Sequence, residues 1–100
     1  MNIKKRVVPI LEKELGEVTF GMYLRSARAA MDISQTDLAH RLRISRGTLC
    51  DIEKGRQLVS PRLALKIARI SGFSEKLALE TCIQDQLRKA KIKMKVSLVA

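Results

Sequence analysis

The sequence predicts an all-α fold of five helices closed by a short C-terminal β-strand. Three observations carry that expectation. Apolar residues recur at helical spacing from Phe20 to Leu87. Serine stands just before four of these runs, at positions 34, 45, 60 and 74, where its hydroxyl can accept a hydrogen bond from the first turn. After Ala90 the period shortens to two: Ile92, Met94, Val96 and Leu98 alternate with Lys91, Lys93, Lys95 and Ser97.

Residues 1–19 read as a basic arm, with Lys4, Lys5 and Arg6, and a short helical phrase, "PILEKELG", with Pro9 near its start and Gly16 after its end. The arm is either a DNA contact or a solubilising tail. Phe20, Leu24, Ala27 and Met31 mark the first core helix. "SQTD" then opens the second in the manner of a capping box, with Asp37 in place of the usual glutamate and Leu38, Ala39 and Leu42 as the buried stripe. Ser45 caps the third, which turns Leu49 and Ile52 inward and stops at Gly55. Ser60-Pro61 starts the fourth, because proline disfavours helical geometry before it and is preset for the first turn after it. Leu63, Ile67 and Ile70 follow, and Gly72 ends that run. The fifth runs from Ser74 to Lys89, with Leu79, Ile83 and Leu87 four apart.

A continued helix after Ala90 would scatter the lysines around its circumference, so the alternation reads as a strand with one apolar and one basic face. An unpaired apolar edge is an aggregation hazard. Two copies are therefore expected to pair their strands antiparallel about a two-fold axis, unless "RVV" near the start supplies a partner. The expected dimer contacts are Ile92, Met94, Val96 and Leu98, with Leu79, Ile83 and Leu87 beneath them. The organisation is then an arm and short helix over 1–19, a helical domain over 20–73, and a dimerisation or partner-binding region over 74–100.

One hundred residues allow one domain at most, and 46% hydrophobic residues make it globular. Twenty Lys and Arg against 10 Asp and Glu leave a net charge of +10, which points to a polyanionic partner, nucleic acid ahead of a membrane surface. Aromatic residues are only 3% with no Trp, so a base-stacking platform for single strands or RNA is disfavoured. Cys50 and Cys82 lack CxxC spacing and the sole histidine is His40, so no metal site is expected. Both cysteines are read as small packing residues of a reduced protein, and His40 as a surface residue. Without a nucleophile–base–orienter set or a phosphate cradle, neither an enzyme nor a cofactor is expected. No signal peptide or apolar span is seen, which implies a cytoplasmic protein with no membrane partner.

The stretch "SRGTLCDIEKG" places Gly47 in the first turn of the third helix, where glycine costs up to about 1 kcal/mol. Either the helix must come very close to something there, or the glycine is neutral surface variation. Two short helices joined by a tight turn suggest a helix-turn-helix. "SQTDLAHRLRISRGTLCDIEKGR" resembles the Xre family, the DNA-binding domains akin to the lambda and Cro repressors. The likeness covers roughly Phe20 to Phe73. It rests on Gln35 opening the first motif helix, Ala39 where the helices touch, Ile44 in the turn, Leu49 and Ile52 facing inward, and "IEKG" closing the unit. One departure is Arg43, where the family often has glycine. A left-handed arginine costs on the order of 1 kcal/mol, unless the turn differs.

The resemblance implies a five-helix, lambda-repressor-like domain that binds double-stranded DNA. It implies that Gln35, at a helix N-terminus, meets phosphate, with Arg43, Lys54 and Arg56 also on the backbone. Arg46, Gly47, Thr48 and Asp51 would approach base edges in the major groove. Arg46 would make a forked contact with guanine, Thr48 would meet a thymine methyl, and Asp51 would accept from a cytosine amino group or repel misplaced phosphate. Arg28 and Glu53 match an ion pair that sets the angle of the recognition helix; if exposed, they are ordinary solvated charges. The implied function is a homodimeric transcriptional regulator, a repressor, on a near-palindromic operator. The other reading is an antitoxin that represses its own operon and holds a toxin protein on residues beyond Gly72. The net charge of +10 counts against that reading if the toxin is a basic ribonuclease.

Overall fold

Every helix in the structure begins on a hydroxyl. In the computed structural model, which describes residues 18–99, Thr19, Ser34, Ser45, Ser60 and Ser74 cap five helices in turn. These are α1 (Phe20–Met31), α2 (Gln35–Leu42), α3 (Arg46–Glu53), α4 (Pro61–Ser71) and α5 (Glu75–Lys89). Each cap oxygen accepts the backbone N–H three residues on, from Met22, Asp37, Thr48, Leu63 and Leu77. A cap of this kind contributes about 1 kcal/mol. Thr19, ahead of α1, is the one cap the sequence reading lacks. The arm at Lys4, Lys5 and Arg6 and the phrase at Pro9–Gly16 lie outside the described residues.

The helix ends are less conventional. Gly55 and Gly72 take the left-handed conformation expected of them, but Asp32, Arg43 and Lys91 take it too, at φ 53°, 58° and 61°. At all three the two following N–H groups fold back onto carbonyls of the last turn, as in a Schellman motif. The pairs are Asp32 to Ala29 with Ile33 to Arg28, Arg43 to His40 with Ile44 to Ala39, and Lys91 to Arg88 with Ile92 to Leu87.

The core holds Phe20, Leu24 and Ala27 of α1, Leu38 and Leu42 of α2, Leu49 and Ile52 of α3, and Ile67 of α4. Val59, in the loop before α4, joins them. The helix α1 contacts α3, α4 and α5, while α2 packs on α3 and α4 on α5. Ala64, Ala68 and Ala78 are fully buried, small residues that let α4 and α5 lie close. On α5 the inward positions are Ala78, Thr81 and Cys82, so its large apolar residues face elsewhere. The Cys82 thiol donates to the carbonyl of Val59 at 3.2 Å, and burial pushes it above the usual thiol range. Cys50, expected in the packing, is instead half-exposed on α3. Asp85 fastens α5 to the start of α1: its Oδ2 accepts the Phe20 N–H at 3.0 Å, and its Oδ1 accepts from Arg88 at 2.8 Å.

Tyr23 stacks on Phe20 at 5.4 Å between ring centroids, meets Phe73 edge-on at 5.9 Å, and donates its Oη hydrogen to the Ser74 carbonyl. Burial, aided by the Glu75 charge and opposed by the Ser71 hydroxyl, pushes the phenol up to about 12 from its usual 10. The folded state thus resists ionisation. Its advantage is intact below pH 10 and is lost between pH 10 and about 12, amounting to about 3 kcal/mol by linkage. Urea unfolding between pH 9 and 11.5 should show a steep loss of stability that Tyr23→Phe flattens. An equally steep loss in that variant would remove Tyr23 as the cause.

The C-terminal strand does not form: residues 92–99 have no strand assignment, and no strand occurs among the described residues. The Schellman turn at Lys91 redirects the chain, and a side chain then takes the place of a neighbouring strand. Gln84 of α5 donates Nε2–H to the Met94 carbonyl at 2.7 Å and accepts the Val96 N–H on Oε1 at 2.8 Å. Nor does the alternation sort cleanly by burial. Val96 and Leu98 are half-buried, but Ile92 and Met94 are exposed along with the lysines between them. The alternative partner, "RVV", lies outside the described residues. Among those residues no helix is long and apolar enough to cross a membrane.

Candidate nucleic-acid interface

The turn between α2 and α3 keeps its left-handed residue, and that residue is Arg43. The Lys66 ammonium reaches the Leu42 carbonyl at 3.4 Å, so cations gather where the α2 dipole is negative. Arg43 itself is exposed. Arg43→Gly should remove about 1–2 kcal/mol of left-handed strain, partly offset by the greater freedom of glycine in the unfolded chain. A net gain of about 0.5–1 kcal/mol in a denaturant titration is expected; a loss would show that the arginine side chain holds the turn.

Arg46 and Gly47 are exposed at the start of α3. A Cβ on Gly47 would meet only the Ser45 Oγ, at an ordinary 3.9 Å. The packing of the protein itself therefore gives no reason for glycine there. Thr48 is half-buried, its hydroxyl accepting from Ser45 at 2.8 Å, which fixes the side chain against the cap. Asp51 is drawn towards the chain that follows α3. Its carbonyl accepts from Arg56 and Gln57, at 2.8 and 3.3 Å, and its carboxylate lies 3.8 Å from the Arg56 guanidinium. That ion pair is solvated, with side-chain exposures of 46% and 67%, and contributes little to stability. Lys54 is exposed at the C-cap.

The strongest electrostatic feature lies behind α3. The Glu53 side chain is only 3% exposed, and the Arg28 guanidinium meets it through Nη2 at 3.1 Å and through Nε at 3.1 and 3.3 Å. The remaining guanidinium nitrogen, Nη1, donates to the Ile33 carbonyl at 3.2 Å, in the link between α1 and α2. Gln35 completes the group, its Nε2–H donating to Glu53 Oε2 at 3.1 Å. One carboxylate thus ties the end of α3 to the middle of α1 and to the first residue of α2. Of the two alternatives for Arg28 and Glu53, pairing is the one found. The Gln35 link was not anticipated: its polar side chain carries no sign in the sequence of turning inward.

Gly21 was also missed. A Cβ there would stand 2.5 Å from the Glu53 carbonyl oxygen and 2.8 Å from that of Ile52. The end of α3 therefore rests directly on the α1 backbone. The available signal was a glycine inside a helical pattern, which often marks close backbone approach.

The residues expected at a dimer interface fall in two groups. Leu79, Ile83 and Leu87 form a half-buried stripe on α5, and none joins the core cluster. Ile92 and Met94 are 43% and 68% exposed beside α5, with Val96 and Leu98 half-buried beyond. His40 is exposed. Among the described residues no group of acids, cysteines and histidine is placed to hold a metal ion.

Two capped helices, a tight turn between them and a supporting α1 define a helix-turn-helix unit. The chain belongs to the helix-turn-helix domain family, whose match spans residues 19–80. It is 45% identical over 49 residues to an uncharacterized HTH-type transcriptional regulator of Methanocaldococcus jannaschii; the match covers 49% of this chain and 74% of that one. No solved structure matches the chain.

Proposed function

We propose that the protein is a DNA-binding transcription regulator, with α3 entering the major groove. The observation that carries this reading is the exposed start of α3, where Arg46 stands beside a glycine that internal packing does not require. A missing side chain there lets the helix backbone approach base pairs closely. The net charge of +10 and the relative's description as a transcriptional regulator support the same reading.

In this reading Arg46, Gly47, Thr48 and Asp51 face the bases, and Gln35, Arg43, Lys54 and Arg56 meet phosphates. Gln35 gives one Nε2 hydrogen to Glu53 and keeps the other for the backbone. Contact with DNA would draw Arg56 away from Asp51, at small cost because the pair is solvated. One such unit reads about half a site, so the protein acts as a homodimer and represses by occupying a near-palindromic operator. The half-buried stripe of Leu79, Ile83 and Leu87 is the surface through which two copies would meet.

Arg46→Ala should relax base preference at one position per half-site, at a cost of about 1–3 kcal/mol on the preferred duplex. Lys54→Ala, Arg56→Ala and Arg43→Gly should instead weaken all duplexes alike and lower the salt slope by about one unit for each phosphate left without its cation. Titrations of specific and random duplexes at several salt concentrations separate the two classes. Equal losses on both duplexes for Arg46→Ala would remove its base-reading role.

A further inference from the structure

The C-terminal segment does not lie flat on α5. Between them runs a groove of about 560 Å³ lined by Gln84, Arg88, Lys91, Ile92, Lys93 and Met94. The two bonds from Gln84 to Met94 and Val96 hold it in shape. Its apolar surface comes from Ile92 and Met94, and the exposed Lys91 and Lys93 supply positive charge. We infer that residues 7–17 of the same chain, "VVPILEKELGE", occupy this groove. Ile10, Leu11 and Leu15 lie against Ile92 and Met94, while Glu12 and Glu14 meet Lys91 and Lys93.

Three observations select that occupant. The first is where the segment joins the structure. It precedes Thr19 and Phe20, and the Phe20 N–H is bonded to Asp85, beside Gln84 and one turn before Arg88. The groove thus opens next to the point where the segment departs. From Gln84 to Lys91 the helix side of the groove is about 10 Å long, and eleven residues can span up to about 36 Å. The second is charge. Residues 7–17 carry Glu12, Glu14 and Glu17 against Lys13 alone, whereas residues 88–95 carry Arg88, Lys89, Lys91, Lys93 and Lys95 with no acid. The third is chemical fit. Apolar residues interleaved with carboxylates match an apolar floor edged by ammonium groups. A second copy of the C-terminal segment would set lysines against lysines, and a phosphate backbone would bring nothing for Ile92 and Met94. Docking this way leaves the α5 stripe open for a second copy and covers the exposed apolar surface of residues 92–94.

Carbodiimide cross-linking of the full-length, DNA-free protein tests this independently of any DNA activity, because the reagent joins only carboxylates and amines in contact. Equal amounts of unlabelled and 15N-labelled chain are mixed, cross-linked and digested for mass spectrometry. Links from Glu12 or Glu14 to Lys91 or Lys93 within chains of a single isotope are expected. Ile92→Asp/Met94→Asp keeps every reacting group and should reduce those links at least fivefold. Absence of the links, isotopically mixed links in statistical proportion, or an unchanged yield in the variant would each overturn the inference.

Discussion

Glu53→Ala should lower stability by on the order of 2–3 kcal/mol and the melting temperature by about 10–20 °C. The carboxylate it removes is 3% exposed and serves both Arg28 and Gln35, so one truncation strands two partners. Losing one member of a fully buried pair costs about 3–5 kcal/mol; the lower figure applies because Arg28 keeps 26% of its side chain in solvent. The double variant Arg28→Met/Glu53→Met separates stability from positioning. Apolar replacements of similar size often match a buried ion pair in stability, so its melting temperature should recover most of the loss. Its affinity for a preferred duplex should not, because nothing then links α3 to α1 and to Gln35. Recovery of both would mean that the network only fills space.

Gly21→Val should be the more damaging of the two changes for recognition. Its Cβ alone would press to 2.5 Å from the Glu53 carbonyl and 2.8 Å from the Ile52 carbonyl, and both are backbone atoms that cannot rotate away. Either α1 or the end of α3 must move. Overpacking of this kind costs about 1–3 kcal/mol, with the upper end expected for valine. Gly21→Ala gains up to about 1 kcal/mol in helix propensity, yet should still be a net loss. Both variants should lower specific DNA affinity by about tenfold or more, equivalent to about 1.4 kcal/mol or more. An alanine variant with unchanged melting temperature and affinity would show that the two helices are not locked at this contact.

Legibility in the sequence followed how local each cause is. The helices were readable because serine hydroxyls and apolar spacing act within a turn or two, and the caps at Ser34, Ser45, Ser60 and Ser74 all form. The glycine stops at Gly55 and Gly72 were readable for the same reason, and both glycines are left-handed. The left-handed ends at Asp32 and Lys91 were not, since neither residue advertises that conformation. Period two at residues 91–98 was real as a pattern and misleading as structure. Alternation states which faces a segment has, but a strand also needs a partner, and the partner found is the carboxamide of Gln84. The pairing of Arg28 with Glu53 became legible only through family resemblance, because 25 positions separate the two. Contacts made only by folding, Gln35 to Glu53 and Gly21 against the end of α3, left almost no trace in the order of residues.

Selection of bound sequences from random DNA duplexes by the full-length protein tests most directly the claim that α3 reads DNA as half of a symmetric pair. Enrichment of a near-palindrome is expected, with half-sites about one helical turn apart, or a multiple of it. Repeated with Arg46→Ala, the selection should lose preference at one base position in each half-site and keep the spacing. A selection that enriches no common sequence, or a single site without two-fold symmetry, would contradict it.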